Sequence, residues 1–340
     1  MNLKDLWYLS FKQIIKLGLF FYTRKIHVSG KENIPKKDAV IFVPNHPNGL
    51  IDPLYVATNT PRINHFLVRA AVFKKEIVKK ILGSLNLMPI YRVRDGKDKM
   101  YQNDAIFEKC HQILLKKRAL MIFAEGSHDS IRRLRPLKTG FIKIAFGTIQ
   151  INPKVNIYVV PVGITYQRVT HFPSEIALNY GTPILANDFY DNANEQKATS
   201  ALDKAVSNQL KQLMVHIPKE NYEETLHKLN KANVDFTNVN KVNEMIATKA
   251  LPIQRRKIKF GFLKTLLVFN NIVPYLIWKK VSKKIADIEF VDTFRFAVGM
   301  LLFPLNLVLQ TTLVSFVFNG TIGFYYAICS LLLVLIYVKK

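Results

Sequence analysis

The chain from 296 to 338 carries no charged side chain, whereas from about His27 to Ala186 short apolar runs alternate with segments of helical periodicity. One membrane crossing takes ~20 apolar residues, so the first pattern predicts two spanning helices, 296–318 and 321–338, joined by a turn at Asn319 and Gly320. Pro304 is tolerated inside the first as a kink. Together they predict a transmembrane helical hairpin at about 296–338. The alternating section predicts an α/β domain over 27–190, with strands at 39–43, 66–68, 87–91, 119–123, 155–165 and 176–180. Between them Ile106, Phe107, Cys110, Ile113 and Leu114 share one helix face, and Phe141, Ile144 and Ala145 begin another.

Three further segments have weaker patterns. In residues 1–26, Leu6, Trp7, Phe11, Ile14, Ile15 and Phe20 recur at roughly helical spacing and are interrupted by Lys12 and Lys16. That suits an interfacial membrane helix better than a cleaved signal, and an amphipathic helix packed on the domain would read the same way. Residues 191–255 are polar with Leu210, Leu213, Leu226 and Leu229 at helical intervals, a helical extension preceding a membrane anchor at 256–340. Within that anchor, 262–278 is broken by Lys264, Asn270, Asn271 and Pro274 and reads as an interfacial segment. Residues 72–82 place apolar and basic groups on opposing faces of a helix, suited either to a membrane surface or to a solvated face packed on the core.

With 49% hydrophobic and 21% charged residues in 340, the chain is too apolar to be disordered. Its net charge of +25, from 49 basic against 24 acidic residues, calls for a polyanionic neighbour. The basic residues are dispersed or sit beside apolar helices and form no nucleic-acid module, so membrane lipids rather than nucleic acid are the expected partner. Basic residues flank the hairpin on both sides: Lys279, Lys280, Lys283, Lys284 and Arg295 before it, Lys339 and Lys340 after it. Both ends are then cytoplasmic, the domain faces the cytoplasm, and a bacterial inner membrane is the expected location. Two cysteines, Cys110 and Cys329, exclude a disulfide framework and a cysteine metal cluster, and no metal site is expected.

Four blocks carry the candidate chemistry. Asn45-His46-Pro47-Asn48-Gly49-Leu50-Ile51-Asp52 follows a predicted strand, where α/β sheets present functional groups. It is followed by Leu87-Met88-Pro89-Ile90-Tyr91-Arg92, Ile122-Phe123-Ala124-Glu125-Gly126-Ser127-His128-Asp129, and Val159-Val160-Pro161-Val162-Gly163-Ile164-Thr165. A histidine of pKa near ~6.5 can take the proton of an attacking alcohol, and an aspartate can hold its imidazole in the right tautomer. Asp52 also precedes Pro53, a favourable first helical position, and could cap a helix.

In this order the four blocks resemble the phospholipid/glycerol acyltransferase family, in the branch with five residues between the motif His and Asp, as between His46 and Asp52 here. The resemblance implies a mixed sheet flanked by helices and an acyl transfer from acyl-CoA or acyl-acyl-carrier-protein to a glycerol-3-phosphate or lysophosphatidate hydroxyl. No other cofactor is implied. The catalytic pair would be His46 and Asp52, with backbone amides around Asn48 and Gly49 as oxyanion donors. Arg92 would bind the acceptor phosphate, with Glu125, Gly126 and Ser127 ordering the acceptor site. Many relatives have an Arg after Glu-Gly-Thr; here His128 stands there, so Arg132, Arg133, Arg135 or Lys138 would compensate. Two other readings fit the composition: a non-enzymatic anionic-lipid-binding membrane protein, and a thioesterase-like hydrolase, although Gly-x-Ser-x-Gly is absent.

Overall fold

The computed structural model describes residues 2–92, 96, 100–250 and 261–340. After helix α1 (Leu3–Tyr22) come β1 (Lys25–Ser29), β2 (Ala39–Pro44), α2 (Ile51–Asn59), β3 (Asn64–Arg69), α3 (Glu76–Ser84) and β4 (Leu87–Ile90). Then follow α4 (Gln102–Leu115), β5 (Ala119–Met121), α5 (Gly140–Ile151), β6 (Ile157–Tyr166), β7 (Glu175–Tyr180) and β8 (Ile184–Leu185). The eight strands form one mixed sheet in the order β1-β7-β6-β2-β5-β3-β4, with β8 beside β6. Strands β6, β2, β5, β3 and β4 are mutually parallel, so the segments that leave β2, β4, β5 and β6 all emerge at one carboxyl edge.

Each sheet face has its own core. Ala39, Ile41 and Val43 of β2 point into a layer filled by α4 and α5, while Val40 and Phe42 point into one filled by α1 and α2. Burial on both faces explains why β2 reads as an unbroken apolar run. Cys110 lies in the first core with its thiol pushed up to about 12 by burial, the state of a packing residue. Strands β2 to β7 match the six predicted from sequence to within a few residues, whereas β1 and the two-residue β8 gave no apolar run. In β1, Lys-Ile-His-Val-Ser, only alternate positions are apolar, as befits an edge strand.

The extension is helical, with α6 (Glu195–Leu213), α7 (Tyr222–Lys231) and α8 (Val239–Thr248). It is no separate layer at its start, because Ala198, Leu202, Val206 and Leu210 of α6 complete the first core. Helix α1 packs on the domain through one face only. Tyr8 and Leu19 enter the second core, while Leu3, Leu6, Trp7, Ile14, Leu17 and Phe20 form an exposed apolar stripe on the other side. Ile77 and Ile81 of α3 are likewise exposed.

The two C-terminal helices are α11 (Val291–Val317), with Pro304 inside it, and α12 (Gly320–Lys339). Both are long and apolar enough to cross a membrane. Their ends return to the domain: Phe296 packs in the second core, and Lys339 donates to the Thr23 carbonyl. Between those ends Leu305, Val308, Leu309 and Phe316 of α11 are exposed. Helices α9 (Gly261–Asn270) and α10 (Ile272–Ser282) meet at a 97° bend where sequence suggested an interfacial segment. The bend is stabilised by polar groups of the hairpin, since the Asn270 carbonyl accepts from Gln310 and its side chain bonds Tyr326 and Ser330.

Candidate active site

The carboxyl edge brings together residues from all four blocks. After β2 the chain turns through Asn45, whose side-chain amide bonds both the N–H and the carbonyl of Ile164 on β6. His46 then projects from the turn, and α2 begins at Ile51, so Asp52 lies in the first turn of that helix. The Asp52 carboxylate points back toward the loop instead of capping α2, and the positive end of the helix dipole favours its charge. His46 Nδ1 lies 2.9 Å from Asp52 Oδ2.

Asp52 is 0% exposed and His46 keeps 15%, so the carboxylate is sealed while the imidazole reaches the surface. Two further donors reach Asp52: the Asn48 N–H at 2.8 Å on Oδ2 and the Tyr166 hydroxyl at 2.6 Å on Oδ1. Burial pushes the Asp52 pKa above the usual carboxylate range, and these two hydrogen bonds oppose it. Three donors on two oxygens are what an ionised carboxylate accepts, so the proton between the pair is assigned to His46 Nδ1. Burial lowers the His46 pKa to about 3, with the Glu125 charge opposing and the Arg135 charge reinforcing. The ring is therefore neutral near pH 7, with Nε2 left to act as a base. Phe123 of the third block packs on the imidazole at 4.1 Å between ring centroids, and His128 stands edge-on at 5.8 Å.

The second and third blocks meet beside this pair. Arg92 donates to the Gly126 carbonyl at 2.7 Å. Gly126 has φ +75°, in the left-handed region that favours glycine, and the Lys138 stem runs past it. Glu125 is ion-paired with Arg135 at 2.7 Å, and Arg135 also donates to the Ser127 hydroxyl at 2.7 Å and to the Ser127 carbonyl. The Asp129 N–H donates to the His46 carbonyl at 3.0 Å, so this loop and the His46 loop form one unit. Of the four basic residues weighed for the missing arginine, Arg135 and Lys138 lie at the Glu125–Ser127 loop. Arg132 stacks over Phe236 at 3.7 Å and donates to the Gln167 carbonyl, and Arg133 lies over Tyr222, so both serve packing.

One sequence-derived role changes. The Asn48 N–H is committed to Asp52, so it orients the carboxylate and is not an oxyanion donor. Gly49 faces the root of α11: a β-carbon there would lie 2.9 Å from the Glu289 carbonyl oxygen. Sequence reasoning missed Tyr166, one residue beyond the fourth block, although Ile164 and Tyr166 share a strand face by simple alternation. It also missed Asp292, whose only signal was an acidic residue at the start of an apolar span. Among the described residues no group of three or more His, Cys, Asp or Glu could hold a metal ion.

The acyltransferase family model matches residues 25–165. Over 111 residues the chain is 30% identical to glycerol-3-phosphate O-acyltransferase 2 of Saccharomyces cerevisiae, covering 32% of this chain and 15% of that protein. Over 146 residues it is 31% identical to a probable 1-acyl-sn-glycerol-3-phosphate acyltransferase of Mycoplasma pneumoniae, covering 41% of this chain and 52% of the relative. The chain thus spans about half or less of the length of these curated relatives. A solved structure, the 1-acyl-sn-glycerophosphate acyltransferase of Thermotoga maritima, aligns with a TM-score of 0.43 at 20% identity over 59% of this chain and 78% of that one. Residues 25–165 are thus similar to acyltransferases, and the relatives that match there are glycerol-3-phosphate and 1-acyl-sn-glycerol-3-phosphate acyltransferases.

Proposed function

We propose that this protein is a membrane-bound O-acyltransferase that moves a fatty-acyl group from acyl-CoA or acyl-acyl-carrier-protein to a hydroxyl of glycerol-3-phosphate or lysophosphatidate. The observation that carries the reading is the His46–Asp52 pair, an imidazole with one edge exposed at 2.9 Å from a sealed carboxylate. In the reaction, His46 Nε2 takes the acceptor's hydroxyl proton as its oxygen attacks the thioester carbonyl. Asp52 stabilises the imidazolium that forms. Collapse of the tetrahedral intermediate expels the thiolate, which takes that proton back, leaving an ester and a free thiol. No covalent acyl-enzyme is needed.

Arg92, Arg135 and Lys138 bring positive charge to the Glu125–Ser127 loop beside the pair, and a bidentate guanidinium suits the acceptor's phosphate. The apolar hairpin and the exposed stripe of α1 support work at a bilayer, where acyl chains reside. Basic residues at both hairpin ends support a cytoplasmic active domain, on a bacterial inner membrane in this reading. The test is to supply the lipid-reconstituted protein with an acyl-CoA, or with acyl-acyl-carrier-protein, and to offer glycerol-3-phosphate and lysophosphatidate separately. Mass spectrometry is expected to find an acylated product from one acceptor. Thioester hydrolysis without any acylated product would instead make the protein a hydrolase.

A further inference from the structure

The His46 loop is also gripped from outside the family-matched segment, by the root of the membrane hairpin. Asp292, in the first turn of α11, is 1% exposed. Its Oδ2 accepts from the Asn48 side-chain amide at 3.2 Å, and its Oδ1 accepts from the Tyr22 hydroxyl and from Arg295. The same Asn48 amide donates to the Val169 carbonyl at 3.2 Å, and Arg295 donates to the Thr170 carbonyl at 3.0 Å. One turn earlier, the Glu289 carbonyl and the Phe290 ring lie so close to Gly49 that a β-carbon would meet both at 2.9 Å. A buried carboxylate is costly unless paired, and this one is satisfied by donors from α1, from the His46 loop and from its own helix.

We propose that Asp292 is a positioning residue for acyl transfer. It fixes the Asn48 side chain, and thereby the Asn48 N–H that orients Asp52 toward His46. The bonded series runs Asp292, Asn48, Asp52, His46, so the hairpin that holds the protein in the membrane also sets the geometry of the catalytic pair. This inference rests on the acyltransferase reading above.

The experiment uses the full chain in lipid nanodiscs, with acyl-CoA and whichever acceptor the wild type uses. Asp292→Asn turns the acceptor facing Asn48 into an amide and is expected to lower kcat about tenfold or more, with both KM values within about twofold. Asn48→Ala is expected to lower kcat similarly, and the double variant to be no worse than the poorer single variant, because both changes break one series of bonds. A purely structural role would depress active fraction and thermal midpoint together and leave kcat per folded molecule intact. Normal kcat in Asp292→Asn, or losses that multiply in the double variant, would overturn the inference. Should Asp292→Asn fail to insert, Tyr22→Phe, which loosens the same carboxylate, carries the test with a smaller kcat loss expected; an unchanged kcat there overturns the proposal equally. A wild type inactive with every donor and acceptor would defeat the acyltransferase reading itself, whereas an active wild type with a normal Asp292→Asn variant defeats only this inference.

Discussion

Asp52 and Glu125 are both buried carboxylates on the carboxyl edge of one sheet, yet their partners differ. Glu125 is matched by the Arg135 guanidinium, which also ties down Ser127. Among the described residues no Lys or Arg pairs with Asp52, which is held by a tyrosine hydroxyl, a backbone amide and the His46 imidazole. The Glu125 charge is neutralised at rest, so that end of the site is fixed, orders its loop and presents basic groups. The Asp52 charge is compensated in full only when His46 becomes a cation, which is the event acid–base catalysis requires. In the proposed reaction one end holds the acceptor and the other moves the proton.

That contrast predicts separable kinetic effects. The largest is expected of Asp52→Asn, which leaves the shape but removes the group that fixes the His46 tautomer; kcat should fall by ~10²- to 10⁴-fold with modest change in KM. A loss below tenfold would make the two carboxylates equivalent. The same pair also predicts the pH dependence. Transfer needs neutral His46, and burial lowers its pKa to about 3, so protonation removes the base only as pH falls well below the ordinary histidine value. Between pH 7.5 and 5.5 kcat/KM is expected to stay level, whereas an unshifted histidine of pKa ~6.5 would lose about tenfold at pH 5.5. An acid limb centred near 6.5 would show that the imidazole is solvated. The smaller mutational effect is expected of Arg92→Ala at the basic end: KM for the phosphorylated acceptor rises roughly tenfold while kcat holds. A fall in kcat with unchanged KM would assign Arg92 to the chemical end, through its bond to the Gly126 carbonyl.

Much of this arrangement was readable from the chain. Strand β2 is an apolar run buried on both faces, and the blocks after β2, β4 and β5 sit where parallel strands end, so their convergence follows from topology. The hairpin was legible from length and absence of charge, down to the turn at Asn319. What was not legible depends on contacts distant in sequence. Nothing near Asn48 announces that its amide meets Asp292, 244 residues later. The spacing of Arg132, Arg133 and Arg135 cannot say which of them faces Glu125, because that depends on a loop without periodicity. Tyr166 reads as one more apolar strand residue until its hydroxyl is seen on Asp52.

The central claim is that His46 is the base for transfer to an acceptor hydroxyl. It is tested most directly by single-turnover acyl transfer from a labelled acyl thioester, comparing wild type with His46→Ala in the same nanodiscs. The account predicts that the variant inserts, binds both substrates and forms ester at least ~10²-fold more slowly. Ester formation at a near wild-type rate in the variant would contradict it.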